Sequence, residues 1–167
     1  QLPPHGGSLR LFVQHRSGGL HACSASVEAR RAHEAARGVA TREYYSGFQQ
    51  RAERIRDNLR AFLTEAKQRG ETVAGYGAAA KGNTLLNFAG IGADQVAFVA
   101  DRNPAKQGKF LPGSRIPIVP EDRVRERRPK WVLILPWNLR AEVMQQLAYV
   151  REWGGTFVIA VPELDFA

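Results

Sequence analysis

The sequence predicts an α/β fold. The expected architecture is a Rossmann-like, three-layer αβα domain with a mainly parallel sheet, preceded by a long amphipathic helix. Three observations carry this. Short apolar runs alternate with helical patterns from about residue 70 to the end. The runs are apolar almost throughout, as strands covered on both faces are. Several end in Gly, Pro, Asn or Asp, the residues of tight βα connections.

Taken in order, Leu9 to His15 (LRLFVQH) alternates weakly after a Gly-Gly pair and reads as a strand. Residues 16–40 read as a connector with modest helix content, Ser26 to Arg37. Residues 41–69 give the clearest helix. Tyr44, Phe48, Ile55, Leu59, Phe62, Leu63 and Ala66 recur at helical spacing, with Thr41 as cap and Gly70 as stop. Thr72 to Tyr76 is a buried strand running into a Gly-rich loop, and Asn83 to Ala89 a short helix. Gln95 to Ala100 is the next strand, ending at Asp101. Gly108 to Val119 is an extended excursion with a Pro-Gly turn at Pro112-Gly113. Glu121 to Arg127 is a helix stopped before Pro129. Trp131 to Leu135 is a strand. Leu139 to Trp153 is an amphipathic helix, capped by Asn138 and ended by Gly154, and Thr156 to Val161 is a final strand. The domain boundary falls near residue 40, with 1–40 as an appended strand plus connector and 41–167 as the α/β domain.

Composition narrows the function. The chain has 167 residues, 44% hydrophobic and 24% charged, ordinary for a globular protein. No apolar run approaches the ~18 residues of a membrane span, so no membrane partner is expected. A lone Cys23 suits a reducing cytoplasm. The chain opens without Met, as a piece of a longer protein would. The charge of +8 favours anionic partners, yet no RNP-like aromatic pattern, zinc-finger spacing or helix-turn-helix signal supports nucleic acid. The four histidines have no metal-ligand spacing, and no Gly-x-Ser-x-Gly elbow is present. No catalytic residue and no metal site are therefore expected.

In open α/β sheets, ligands bind beyond the carboxyl ends of strands. The main candidate is Gly75-Tyr-Gly-Ala-Ala-Ala-Lys-Gly-Asn-Thr84. Gly75-x-Gly77-x-x-Ala80 fits a relaxed dinucleotide loop, and Asp101 stands where a ribose-binding acid would. That supports a nicotinamide-dependent oxidoreductase reading. Gly77-x4-Gly82 begins like a P-loop, but Asn83 replaces the P-loop lysine and Lys81 comes two places early, which excludes an NTPase. Packing of a tight βα unit explains the glycines equally. It does not call for Lys81, Asn83 and Thr84 at one helix start, where a point charge and side-chain donors suit phosphate. The next strand end offers Asp101, Asn103, Lys106 and Lys109. The one after offers Trp137, able to stack on a base or sugar, and Asn138.

Four segments, GGSLRLFV, GYGAAAKGNTLLN, DRNPAKQGKFLPGSRIPI and ILPWNLRAEV, together resemble the C-terminal domain of S-adenosylmethionine-dependent sugar C-methyltransferases. The resemblance covers most of the chain and is weakest at 16–40. It implies enzymes that methylate a carbon of a deoxysugar carried on thymidine diphosphate. They remove a proton alpha to a keto group, and the enolate then attacks the methyl sulfonium. It also implies a preceding zinc module and a central methyltransferase domain that binds S-adenosylmethionine. Neither the cysteine cluster nor the upstream glycine motif is found in this chain, so no cofactor is expected here and the chain alone should not methylate. The resemblance implies that Gly75, Tyr76, Gly77, Lys81, Gly82 and Asn83, with Asp101, Asn103, Lys106, Trp137 and Asn138, line the face that holds the nucleotide diphosphate sugar; Thr84 and Lys109 join them from the strand-end reading. Gly6 to Arg10 would be the closing strand of the upstream domain. A non-catalytic anion-binding or docking module is the third reading, resting on the basic charge.

Overall fold

The computed structural model describes residues 8–167. It falls into two units, residues 1–52 and 53–167. In the first, α1 (Ala25–Ala36) starts at Ser24, whose side chain accepts the Ser26 N–H. Thr41 caps α2 (Arg42–Tyr45) by accepting the Tyr44 N–H, as expected. The single helix read over 41–69 is interrupted: Ser46 is extended and Gly47 takes φ +77, and α3 (Phe48–Gln68) begins after them. Residues 9–15 form no strand. A strand needs a hydrogen-bonded neighbour, and none of the described residues provides one there. Gly6 and Gly7 lie outside the described residues.

The second unit is the α/β domain. Its six strands are β1 (Val73–Tyr76), β2 (Val99–Ala100), β3 (Ile118–Val119), β4 (Trp131–Ile134), β5 (Thr156–Ile159) and β6 (Asp165–Phe166). They lie in the order β3-β2-β1-β4-β5-β6, all parallel except β6. This bears out the predicted mainly parallel sheet. Two strands were missed. β3 was read as part of an extended excursion, and β6 lies beyond the last predicted strand. Each has two residues, too short for a periodic signal.

Alternation along the strands feeds two cores. Val73, Leu133 and Val158 face α3 and α4 (Ala80–Phe88), where Leu59, Leu63 and Leu86 are fully covered. Ala74, Ile134 and Phe157 face α5 (Asp122–Arg127) and α6 (Arg140–Gln146), with Val124 and Val143. Three layers result, as expected. The helix read over 139–153 is three pieces: a 3-10 turn at Trp137–Leu139, α6, and a 3-10 segment at Ala148–Trp153, closed by Gly154 at φ +74. Among the described residues no helix is long and apolar enough to cross a membrane.

Because the chain winds β1-β2-β3 to one side and then returns to β4 beside β1, the connections diverge between β1 and β4. A crevice at their carboxyl ends is the geometric consequence. The loop after β1 and the loop after β4 meet there.

Candidate functional site

The Gly loop is built by close packing. Gly77 takes φ +79, and a Cβ on it would stand 2.7 Å from Pro136 Cδ. A Cβ on Gly75 would meet Val99 at 2.8 Å, and one on Gly82 would meet Leu135 Cβ at 2.5 Å. Gly82 therefore sits inside α4, which starts at Ala80 and not at Asn83. The expected start at Asn83 left Gly82 in the loop; its missing side chain lets the helix lie against the end of β4. This corrects the grouping at the helix start. Only Lys81 lies in the first turn. Asn83 and Thr84 are one turn on, where Asn83 accepts from Asn87 Nδ2 and the Thr84 hydroxyl donates to the Ala80 carbonyl at 3.1 Å.

Ala79 offers α4 no side-chain cap. The first-turn N–H groups of Ala80, Lys81 and Gly82 thus have no intrahelical acceptor. Lys81 Nζ donates to Asn138 Oδ1 and lies 4.5 Å from the centroid of the Trp137 ring. Asn138 is not a helix cap. It lies in the 3-10 turn, the N-cap position of α6 falls on Leu139, and no side chain caps that helix. Trp137 is half-buried and packs on the α3–α4 core.

Asp101 is the buried acid of the region. Its Oδ2 accepts the Ala78 N–H at 2.7 Å and its Oδ1 the Asn103 N–H at 2.8 Å. Lys106 Nζ closes the arrangement, donating to the Ala78 carbonyl at 2.9 Å and to Asp101 Oδ2 at 3.3 Å. Asn103 Oδ1 accepts the Ala105 N–H at 3.0 Å, an Asx turn, and Gln107 Nε2 donates to the Asp101 carbonyl at 2.9 Å. Asp101, Asn103 and Lys106 are hence tied into holding the loops after β1 and β2. Both Asp101 carboxylate oxygens carry internal donors, which takes away the ribose acid that the nicotinamide reading required. Lys109 is exposed. Its backbone pairs with Ile118, and among the described residues no side-chain bond joins it to Lys81 or Lys106.

Tyr76 turns to the other face. It is buried, and its hydroxyl donates to Glu121 Oε2 at 2.5 Å, while Gln146 Nε2 donates to both Tyr76 and Glu121. Burial, then the Glu121 carboxylate, push the phenol well above its usual range. Arg102 reaches Gln146 Oε1 at 3.3 Å. Sequence reading named no role for Gln107, Glu121 or Gln146; of these only Gln107, inside the DRNPAKQG run, carried a signal.

These groups meet at the carboxyl ends of β1 and β4: uncapped N–H groups, one ammonium and an indole. Among the described residues no three His, Cys, Asp or Glu gather as a metal site. The family model described as C-methyltransferase C-terminal domain matches residues 3–162. The chain belongs to this family. It is also similar to "C-methyltransferase NovU" of Streptomyces niveus, at 36% identity over 159 residues. That match takes in 95% of this chain and 38% of the relative, so the chain spans well under half of the relative's length. The C-methyltransferase family expected from the four segments is thereby established, and so is the assignment to its C-terminal domain.

Proposed function

We propose that this C-methyltransferase C-terminal domain binds the diphosphate of a nucleotide sugar at the crevice between β1 and β4. It would act as the substrate-side part of a sugar C-methyltransferase, with thymidine diphosphate as carrier of a keto-deoxysugar. The observation that carries this is Lys81, in the uncapped first turn of α4, bonded to Asn138 and set on Trp137. A helix N-terminus, a neighbouring ammonium and an aromatic face are complementary to phosphate and to a nucleoside or sugar ring. Asp101, Asn103 and Lys106 would hold that loop in place more than touch ligand.

The residues here do not fit S-adenosylmethionine. Asp101, the acid placed for a ribose, is spent on Ala78, Asn103 and Lys106. Pro136 packs against Gly77 on the side where a Cβ would stand, so that face of the loop is covered by protein. The methyl donor is therefore assigned to another part of the polypeptide, and no chemical step is assigned to this chain.

Titration with thymidine diphosphate, followed by NMR, tests the reading. Shifts are expected at 79–84 and 136–138, with smaller ones at 101–109. Shifts confined to remote surfaces would refute it. Millimolar NADH should leave the cofactor's fluorescence unchanged; a saturable change would favour the oxidoreductase reading instead.

A further inference from the structure

Ligand binding at the β1–β4 crevice asks two things of one pair of side chains. Lys81 has to meet phosphate, and Trp137 has to offer its ring to the rest of the ligand. In the structure the two are engaged with each other. The Lys81 ammonium stands over the Trp137 ring, 4.5 Å from its centroid, and donates to Asn138 Oδ1. Both partners are neighbours in the 3-10 turn Trp137–Leu139. The indole also packs on the α3–α4 core. A ring that lies under an ammonium cannot stack on a ligand at the same place. The backbone on either side is fixed, because Gly82 packs on Leu135 and Gly77 on Pro136. The movable part is the flexible four-carbon stem of Lys81, which can swing without any shift of α4 or of the turn.

We infer that Lys81 gates its own site. Without ligand it lies on Trp137 and Asn138 and covers the stacking surface. A diphosphate at the first turn of α4 draws the ammonium away, and the uncovered indole then takes the planar base of the same ligand. The gate selects a ligand class. Phosphate alone has to break the Lys81 contacts and leaves the ring unused. A nucleoside alone has to displace a cation and gives it no new partner. A nucleoside diphosphate does both at once, so each half of it helps the other to bind. In the free domain the open arrangement is the minor one. Apparent affinity is lowered by that fraction, and a change that loosens the gate raises it. Asn138 is accordingly a positioning residue for the closed arrangement and not a ligand contact. The gate rests on the diphosphate reading given above, since phosphate is what moves Lys81.

NMR of the Lys81 side chain, with calorimetry, tests it on this chain. Protons held over an indole ring resonate upfield, so the Lys81 ε-methylene signal should lie upfield in the free protein. Inorganic pyrophosphate and thymidine diphosphate should return it to its ordinary position, and thymidine alone should leave it in place. Asn138→Ala removes one of the two holds on the ammonium and should bind pyrophosphate about tenfold more tightly than the parent. Thymidine should bind several-fold more tightly at saturating pyrophosphate, and pyrophosphate by the same factor at saturating thymidine. An upfield signal that persists in the saturated thymidine diphosphate complex would overturn the gate while leaving the diphosphate reading intact. So would equal or weaker pyrophosphate binding by a folded Asn138→Ala domain, which would make Asn138 a ligand contact. Absence of any thymidine diphosphate binding at 79–84 and 136–138 would remove the diphosphate reading and the gate with it.

Discussion

The Lys81 ammonium stands 4.5 Å from the centroid of the Trp137 ring and donates to Asn138 Oδ1, joining the first turn of α4 to the loop after β4. Two connections that leave the sheet on opposite sides of the β1–β4 divide are thereby linked by one side chain.

Lys81→Met should separate binding from folding. Lys81 and Trp137 are half-buried, where a cation–π contact lies between about 0.5 and 2 kcal/mol, so the change in stability should stay within about 2 kcal/mol. A charge-assisted bond to phosphate is worth about 1.5–3 kcal/mol, so affinity for thymidine diphosphate should fall roughly tenfold to a hundredfold by calorimetry. An unchanged affinity would remove Lys81 from the site.

Gly77→Ala should destabilise the domain. Residue 77 has φ +79, and the new methyl would meet Pro136 Cδ at 2.7 Å. Left-handed backbone costs a non-glycine residue about 1–2 kcal/mol and overpacking about 1–3 kcal/mol. A urea midpoint lowered by about 2–4 kcal/mol of unfolding free energy is expected, with the m-value unchanged. A loss below about 0.5 kcal/mol would show that the loop shifts freely away from Pro136.

Asp101→Ala tests whether this acid builds the loop or waits for ligand. Removing it strips the Ala78 and Asn103 N–H groups of their acceptor and Lys106 of its counter-charge. Loss of an acceptor for a buried donor costs about 1–3 kcal/mol, and equilibrium unfolding should reveal a loss in that range or above it. An acid kept for ligand alone would leave stability unaltered.

Tyr76 makes a prediction about alkaline pH. Burial, then Glu121, raise its pKa above the ordinary 10.0, so the folded state keeps the proton that the unfolded state releases. Below pH 10 both states are protonated and the contribution is whole. Above it, stability falls with rising pH by up to about 1.4 kcal/mol per unit until the folded state also titrates. Tyr76→Phe should therefore lose less stability than the parent between pH 10 and 12 in urea melts. Parallel pH profiles for the two proteins would show that the phenol titrates normally.

Much of the fold was legible. Continuous apolar runs at 73–76, 131–134 and 156–159 could only be strands covered on both faces, and Thr41 and Gly154 marked ends that the structure keeps. The four-segment pattern also pointed to the family that the match over residues 3–162 establishes. The misreadings share a cause: each local signal was outweighed by a distant partner. Gly82 fell outside the expected helix because Leu135, against which it packs, is distant in sequence. Asn138 looked like a cap, but its oxygen is taken by Lys81, 57 positions away. Residues 9–15 looked like a strand, but no described residue pairs with them.

By itself, the sequence determined which residues could lie at strand ends, because apolar period and turn chemistry are local properties. Which groups meet was decided by tertiary structure alone. The order β3-β2-β1-β4-β5-β6 sets β1 beside β4 and brings Lys81 to Trp137 and Asn138. It also spends Asp101 and Lys106 on Ala78, and buries Tyr76 on the opposite face with Glu121 and Gln146. A polar side chain takes whatever partner the packed sheet puts within about 3 Å, and no spacing along the chain records that distance.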